Sequence, residues 1–243
     1  MLSFTFSKRA LLAFFFASCS ANLLTPMGTN ADQRAIDFQP VLDFDKDGCY
    51  QTAAIDGSGR VNEGLGLTRG DCRQSRLQNS QTYVRQRCNN GWCAYLYGYY
   101  FERDWPALVG GHTHDWEHII VWTLHHEIFF VSWSAHGEYT TAYRSALRWD
   151  GNHPKIVYHL GASGTHSFRR ATASDDNVEN ETGKWHQAPL LSLERLPCEL
   201  NRKLLNHNWG SAHPDLTRDR FGRALDMAMP PDARYNEHFD PWH

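Results

Sequence analysis

Gly111-His112-Thr113-His114-Asp115-Trp116-Glu117-His118 runs directly into Ile119-Ile120-Val121-Trp122. The second stretch is β-branched and aromatic, and reads as a core strand. The first puts two carboxylates and three imidazoles at the head of that strand. Polar groups packed so densely are costly to bury unless they are paired or coordinated. One stretch therefore points both to a β fold and to a polar site at a strand end.

In an extended strand alternate side chains share a face. Asp115 and Glu117 then point one way, and His114, Trp116 and His118 the other. Two neighbouring carboxylates repel unless a cation lies between them. Asp104 can join them from the preceding Phe101-Glu102-Arg103-Asp104 stretch, and His112 can turn inward through the Gly110-Gly111 hinge. The candidate metal set is Asp104, His112, Asp115 and Glu117. Its oxygen content favours Ca²⁺ or Mg²⁺ over zinc. The alternative is a buried salt-bridge cluster that includes Arg103. No His-Glu-x-x-His helix is present, and His125-His126-Glu127 lacks the second spaced histidine.

Working outward, Thr82–Arg85, Cys93–Phe101, Trp116–Leu124, Ile128–Ser134, Ile156–His159 and Thr165–Arg169 read as short strands separated by Gly, Pro and Asn. Helical signals are confined to Glu194–Leu205 and Asp219–Met229. The fold class is mainly β with a few helices, a single-domain antiparallel β-sandwich. Residues 22–40 read as a flexible mature N-terminus, 41–72 as loops rich in Gly and Asp, and 41–243 as one domain. The 243-residue length suits a single full-sized core.

Residues 1–21 read as a signal peptide. Lys8-Arg9 precede a short apolar stretch, Ala10 to Phe16, and the small residues Ala17, Ser18, Ser20 and Ala21 suit cleavage. Phe16-Ala17-Ser18-Cys19 also has the look of a loose lipobox. The apolar stretch is too short to span a bilayer. Beyond the signal, Cys49, Cys72, Cys88, Cys93 and Cys198 remain, and export makes disulfides the default. Cys88 and Cys93 bracket a tight Asn-Asn-Gly turn; Cys49 and Cys72 bracket a Gly-rich segment and form the natural second pair. Spacing alone does not determine the connectivity. Cys198 is left over, either buried or free. Net charge is -3, so nothing electrostatic argues for nucleic acid.

Asp43-Phe44-Asp45-Lys46-Asp47-Gly48 opens like a calcium loop, but an EF-hand would need a ligand at Ala54. Asp43, Asp45 and Asp47 are the candidates for a second calcium site, completed by Asp56; the other reading is an acidic turn. Arg69-Gly70-Asp71 reads as a turn, and Asn180-Glu181-Thr182 as a glycosylation acceptor where a host glycosylates.

The opening stretch resembles the Gly-His-Arg-His-Asp-Trp-Glu heptapeptide of the necrosis- and ethylene-inducing peptide-like proteins, matching six of seven positions with Thr113 in place of Arg. The resemblance extends through Asp47-Gly48-Cys49-Tyr50, Cys88-Asn89-Asn90-Gly91-Trp92-Cys93 and His153-Pro154-Lys155-Ile156-Val157-Tyr158-His159. The subset of that family with two disulfides has the same four-cysteine arrangement and a similar acidic segment taken to be a calcium site. By the resemblance, Asp104, His112, Asp115 and Glu117 surround a divalent cation that helps bind the sugar head group of plant sphingolipids. His136 and His166 would lie beside it.

The resemblance implies a secreted, monomeric, non-enzymatic cytolysin. Its partners would be plant glycosyl inositol phosphorylceramide and the membrane surface, with a plant pattern-recognition receptor reading residues 94–117. Arg at the heptapeptide's third position would offer a charged fork that Thr113 lacks. A non-cytolytic relative that binds glycans or elicits immunity is the alternative, and a secreted hydrolase using the carboxylates and histidines is a second one.

Overall fold

The computed structural model describes residues 23–66, 71–104, 111–162 and 164–243. The signal-peptide reading of 1–21, the Cys19 lipobox, Arg69-Gly70, Gly110 and Ser163 lie outside them. Among the described residues there are ten strands: β1 (Val41–Phe44), β2 (Thr82–Asn89), β3 (Trp92–Asp104), β4 (His112–Leu124), β5 (Glu127–Ala135), β6 (Glu138–Tyr143), β7 (Trp149–Asp150), β8 (His153–Leu160), β9 (His166–Arg170) and β10 (Leu190–Ser192). Helix α1 spans Gln33–Asp37, α2 Cys198–Asn206 and α3 Arg218–Ala228.

Six strands form one sheet in the order β10-β2-β3-β4-β5-β6, and β1, β7, β8 and β9 form the other. The mainly β sandwich expected from the sequence forms, but it is not antiparallel throughout: β1 pairs with β8, and β10 with β2, in parallel. Both parallel strands are short segments delivered by long connections, which carry no hairpin signal.

β3 is buried at every position because both faces of its sheet are covered. Tyr95, Tyr97, Tyr99 and Phe101 point into the space between the sheets, with Tyr158 and Phe168 from the smaller sheet. Ala94, Leu96 and Tyr100 point the other way, against Trp209, Phe221 and Leu225 from the helical layer. β4 repeats the division, with Ile119 and Val121 between the sheets and Trp116, Ile120 and Trp122 beneath the helices. Asp115 and Glu117 continue the row of Ile119 and Val121, so the polar site lies at one end of the inter-sheet core.

Residues 23–40 are not a loose terminus. Asp32 caps α1 by accepting from the Ala35 amide at 3.0 Å. Ala35 and Phe38 are buried, and the Tyr97 hydroxyl donates to the Ala35 carbonyl at 2.8 Å. The sequence signal was weak because one short helix buries few residues. At the other end, the Asn89 side chain donates to Asp240 O and accepts from Asp240 N, both at 2.8 Å, and Trp242 lies against Gly222 of α3. Two disulfides form, Cys49–Cys72 and Cys88–Cys93; Cys198 is free and exposed.

Candidate functional site

A cleft of about 450 Å³ opens where β3, β4, β5 and β9 meet the helical layer. Asp104, His112, Asp115, Glu117, His136 and His166 all line it. The sequence-derived metal set and its two neighbouring histidines are therefore brought together, from the end of β3, the head of β4, the β5–β6 turn and the start of β9.

His112 arrives by a route that strict alternation does not allow. His114 adopts φ +64°, a left-handed conformation uncommon outside glycine, and Gly111 has φ +97°. The break at His114 swings His112 to the side of Asp115, and His112 Nε2 lies 3.9 Å from Asp104 Oδ2. The hinge expected at Gly110-Gly111 thus lies partly within the strand itself. His114 is turned away, its Nδ1 2.7 Å from the Tyr100 hydroxyl and its ring edge-on to Trp209. Thr113 is also turned away: its hydroxyl donates to Leu65 O at 3.1 Å, and its methyl packs on Gly64. A Cβ at Gly64 would lie 2.5 Å from that methyl, so only glycine fits beneath it.

Each carboxylate has a holding group. Tyr158 donates to Asp115 Oδ2 at 2.7 Å. His166 places Nδ1 2.8 Å from Asp104 Oδ1, and its amide donates to the same oxygen at 3.2 Å. The Ser134 hydroxyl donates to Glu117 Oε2. Among the described residues no Lys or Arg pairs with any of the three, so the salt-bridge cluster through Arg103 does not form. Arg103 donates to Gly66 O, and Glu102 pairs instead with Arg76 at 2.9 Å. Burial pushes the Asp115 and Glu117 carboxyls above the usual carboxylate range, and the charge of Asp104 on Asp115, and of Asp115 on Glu117, pushes the same way.

These oxygens suit a hard divalent cation. Among the described residues the three carboxylates have no Lys or Arg partner, and His166 Nε2 is buried with no hydrogen-bond partner. Among the described residues no three His, Cys, Asp or Glu side chains close up into a ready-made coordination shell.

The second calcium candidates do not converge. Asp43 is buried and accepts from the amides of Phe44, Glu179 and Asn180 and from the Asn180 side chain. Asp45 lies 3.4 Å from Arg169, and Asp47 lies 3.7 Å from His166 Nε2. Asp56 is bound by Ser58 and Arg60. Asn180 is buried, with its amide donating to Asp43 and Lys184, which closes it as a glycosylation acceptor in the folded chain.

Sequence reading gave no role to Tyr158, Ser134, Tyr139, His213, Asp215, Arg220 or Arg223, all of which touch or line the site. The one available signal was the i, i+3, i+4, i+7 spacing of Arg220, Arg223, Ala224 and Met227 along α3.

The profile of the necrosis inducing protein (NPP1) family matches residues 32–228. The chain belongs to that family. NLP effector protein 10 of Phytophthora capsici is 36% identical over 172 residues, which is 67% of this chain and 72% of the relative. Among solved NPP1-like folds, necrosis and ethylene inducing protein 2 from the causal agent of cocoa's witches' broom disease superposes with TM-score 0.73 at 25% identity, covering 86% of this chain and 97% of the other. NLPPya in complex with glucosamine superposes with TM-score 0.73 at 26% identity, covering 86% and 98%. The four-cysteine pattern expected for the two-disulfide NPP1 relatives is present as two formed bridges.

Proposed function

We propose that the protein is a secreted necrosis-inducing cytolysin that binds the sugar head group of plant sphingolipids through a divalent cation and damages the bilayer. The observation that carries this reading is the convergence of Asp104, Asp115, Glu117, His112, His136 and His166 on one open cleft. A bound Ca²⁺ or Mg²⁺ would supply a positive point of attachment for sugar hydroxyl oxygens. Asp104, Asp115, Glu117 and His112 would hold it. His166, Tyr158 and Ser134 keep the three carboxylates in place, so little side-chain freedom is lost on binding. His136, whose Nδ1 lies 2.9 Å from the Thr165 hydroxyl, offers a hydrogen-bonding group at the rim.

The solved complex of NLPPya with glucosamine supports a sugar as the ligand class. Two disulfides suit an oxidising, extracellular setting. In this reading the protein acts as a binder and not as an enzyme. No helix among the described residues is long and apolar enough to cross a membrane.

The test is dye release from vesicles containing plant glycosyl inositol phosphorylceramide, with Ca²⁺ or Mg²⁺ and then with chelator. Release that needs both the glycolipid and the cation, and that Asp115→Asn abolishes in a folded protein, is expected. Cation-independent release, or full activity of Asp115→Asn, overturns the metal-assisted mechanism. A folded protein that binds the vesicles without releasing dye would be a non-cytolytic glycan binder.

A further inference from the structure

β6 is the last strand of the six-stranded sheet, and none of its residues is buried. The opposite edge of the same sheet is closed. There the Leu190 carbonyl accepts from the amides of Asn30 and Ala31 at 3.0 and 3.3 Å, and the Ser192 amide donates to the Asn30 side chain at 2.7 Å. In the smaller sheet, β1 is closed by reciprocal bonds between Leu42 and His186, at 2.9 and 2.8 Å. An open edge is a template for another strand unless Lys, Pro, a bulge or a covering segment blocks it. β6 has no Lys and no Pro, and its register with β5 is unbroken from Ala135↔Glu138 to Phe130↔Tyr143. Tyr139-Thr140-Thr141-Ala142-Tyr143 carries no charge, and Tyr and Thr favour strands.

The turn into β6 decides which of its backbone groups face outward. His136 and Gly137 form a two-residue loop with φ of +55° and +80°, which makes Ala135 and Glu138 a hydrogen-bonded pair. Bonding then alternates along the ladder. Glu138, Thr140 and Ala142 turn their amides and carbonyls to β5, and Tyr139, Thr141 and Tyr143 turn theirs away from it. Among the described residues, no backbone hydrogen bond outside the sheet uses these three. The strand is also held in place. The Thr141 hydroxyl donates to Ala228 O and the Tyr139 hydroxyl to Asp215, both at 2.9 Å, which fixes β6 against α3 and the loop before it.

The two ends of the strand carry opposite charges. Exposed Glu138 opens it, exposed Arg144 follows it directly, and neither forms an ion pair with any described residue. The Arg144 guanidinium lies 6.0 Å from the centre of the Trp149 ring. Beside it Tyr143, 44% exposed, rests on Phe130 with ring centroids 5.2 Å apart. A strand with an acid at one end and a base at the other is its own antiparallel complement, because reversal brings unlike charges together.

We propose that β6 is a self-association edge, on which a second copy of this chain adds its own β6 antiparallel to form a twofold dimer with one continuous sheet. Centring the twofold on Thr141 pairs the whole strand. Tyr139 then lies opposite Tyr143 of the second copy and Thr140 opposite Ala142, and all three outward-facing residues find backbone partners. Glu138 lies opposite Arg144 at both ends, on one face of the sheet. Glu138 also lines the cleft, so each copy brings an arginine to the other's cleft rim, and the two clefts lie at opposite ends of the joined sheet. The monomer implied by the family resemblance is then the dilute state. The dimer does not depend on what the cleft binds.

The experiment is equilibrium ultracentrifugation of the whole mature protein from about 1 to about 200 µM, a range that reaches weak interfaces. A concentration-dependent dimer is expected. Glu138→Arg or Arg144→Glu alone should weaken it about tenfold, because each puts like charges opposite one another at both ends. The pair Glu138→Arg/Arg144→Glu should restore it, which loss of folding could not do. Amide exchange followed by NMR supplies the second measurement. Exchange at Tyr139, Thr141 and Tyr143 should slow as concentration rises, while Thr140 and Ala142, already bonded to β5, keep their rates. A protein that stays monomeric across the range overturns the proposal. So does a dimer indifferent to both reversals, or one whose slowed amides lie outside β6.

Discussion

The Tyr158 hydroxyl donates to Asp115 Oδ2 at 2.7 Å, and its ring lies flat against Phe101 with centroids 3.9 Å apart. His166 stacks on it as well, at 5.2 Å. One side chain from the smaller sheet therefore holds a carboxylate on β4 and supports the histidine that holds Asp104. Gly48 closes over this pair: a Cβ there would lie 3.1 Å from the Tyr158 ring and 3.3 Å from that of His166.

Tyr158→Phe keeps the stacking and removes the hydroxyl. Asp115 is left with one fewer donor in a buried setting, which costs about 1–2 kcal/mol of stability. The gain in Tm produced by saturating Ca²⁺ or Mg²⁺ is expected to shrink, because Asp115 is no longer fixed in the orientation that faces the cleft. An unchanged cation-dependent Tm gain would remove Tyr158 from the positioning role.

Thr113 is the position at which the heptapeptide departs from its usual sequence, yet its side chain faces Gly64 and Leu65 and not the cleft. Thr113→Val is expected to cost about 1 kcal/mol through the lost hydrogen bond. Cation affinity should stay at the wild-type value. Chemical denaturation and a cation titration on the same variant check the two halves of this statement separately.

The two disulfides close loops of different length, with sequence separations of 23 and 5. Chain-entropy reasoning assigns about 3 kcal/mol to Cys49–Cys72 and about 2 kcal/mol to Cys88–Cys93. Replacing Cys49 and Cys72 together by Ser should lower stability more than replacing Cys88 and Cys93. The first bridge also borders Gly48, so its loss should loosen the packing on Tyr158 and His166. Denaturant midpoints of the two double variants give the order.

His186 supplies a pH dependence remote from the cleft. Burial drives its pKa down to about 4, and its Nε2 lies 2.8 Å from the Ser80 hydroxyl. An unfolded histidine titrates near 6.5, so between those values the unfolded chain binds more protons and stability falls as pH falls. The loss is complete near pH 4 and amounts to at most about 3 kcal/mol. Asp56 acts lower: burial would raise its pKa, but donors from Ser58 and Arg60 outweigh that and hold it at about 2. Its contribution is lost only as pH falls below about 4. The raised carboxyls of Asp115 and Glu117 work in the opposite sense, so the difference between wild type and His186→Gln isolates the imidazole. Parallel stability curves from pH 7 to 4 would count against the assignment.

Much of the fold was legible because its strands are short, β-branched or aromatic, and punctuated by Gly, Pro and Asn. β2, β3, β4, β5 and β8 appear where that pattern placed them, extended by one to four residues, and β9 appears shifted by one residue. β1, β6, β7 and β10 were not visible. β1 and β10 add to their sheets through parallel pairing with distant partners. β6 is a half-exposed edge strand, Glu138-Tyr139-Thr140-Thr141-Ala142-Tyr143, with no apolar run. Local pattern carries no information about a partner a hundred residues away.

The sequence by itself determined that Asp115 and Glu117 would share a face, because strand geometry alternates every two residues. It also determined that their dense charge would need a partner, because unpaired buried carboxylates are costly. Tertiary structure decided the rest. The left-handed turn at His114 brings His112 onto the same side and sends Thr113 away from it. Sheet packing brings Tyr158 and His166 to Asp115 and Asp104 from 43 and 62 residues away. Helix packing adds Arg220 and Arg223 to the lining of the same cleft. These are relations between segments, fixed by which apolar faces bury one another, and no spacing within a single segment encodes them.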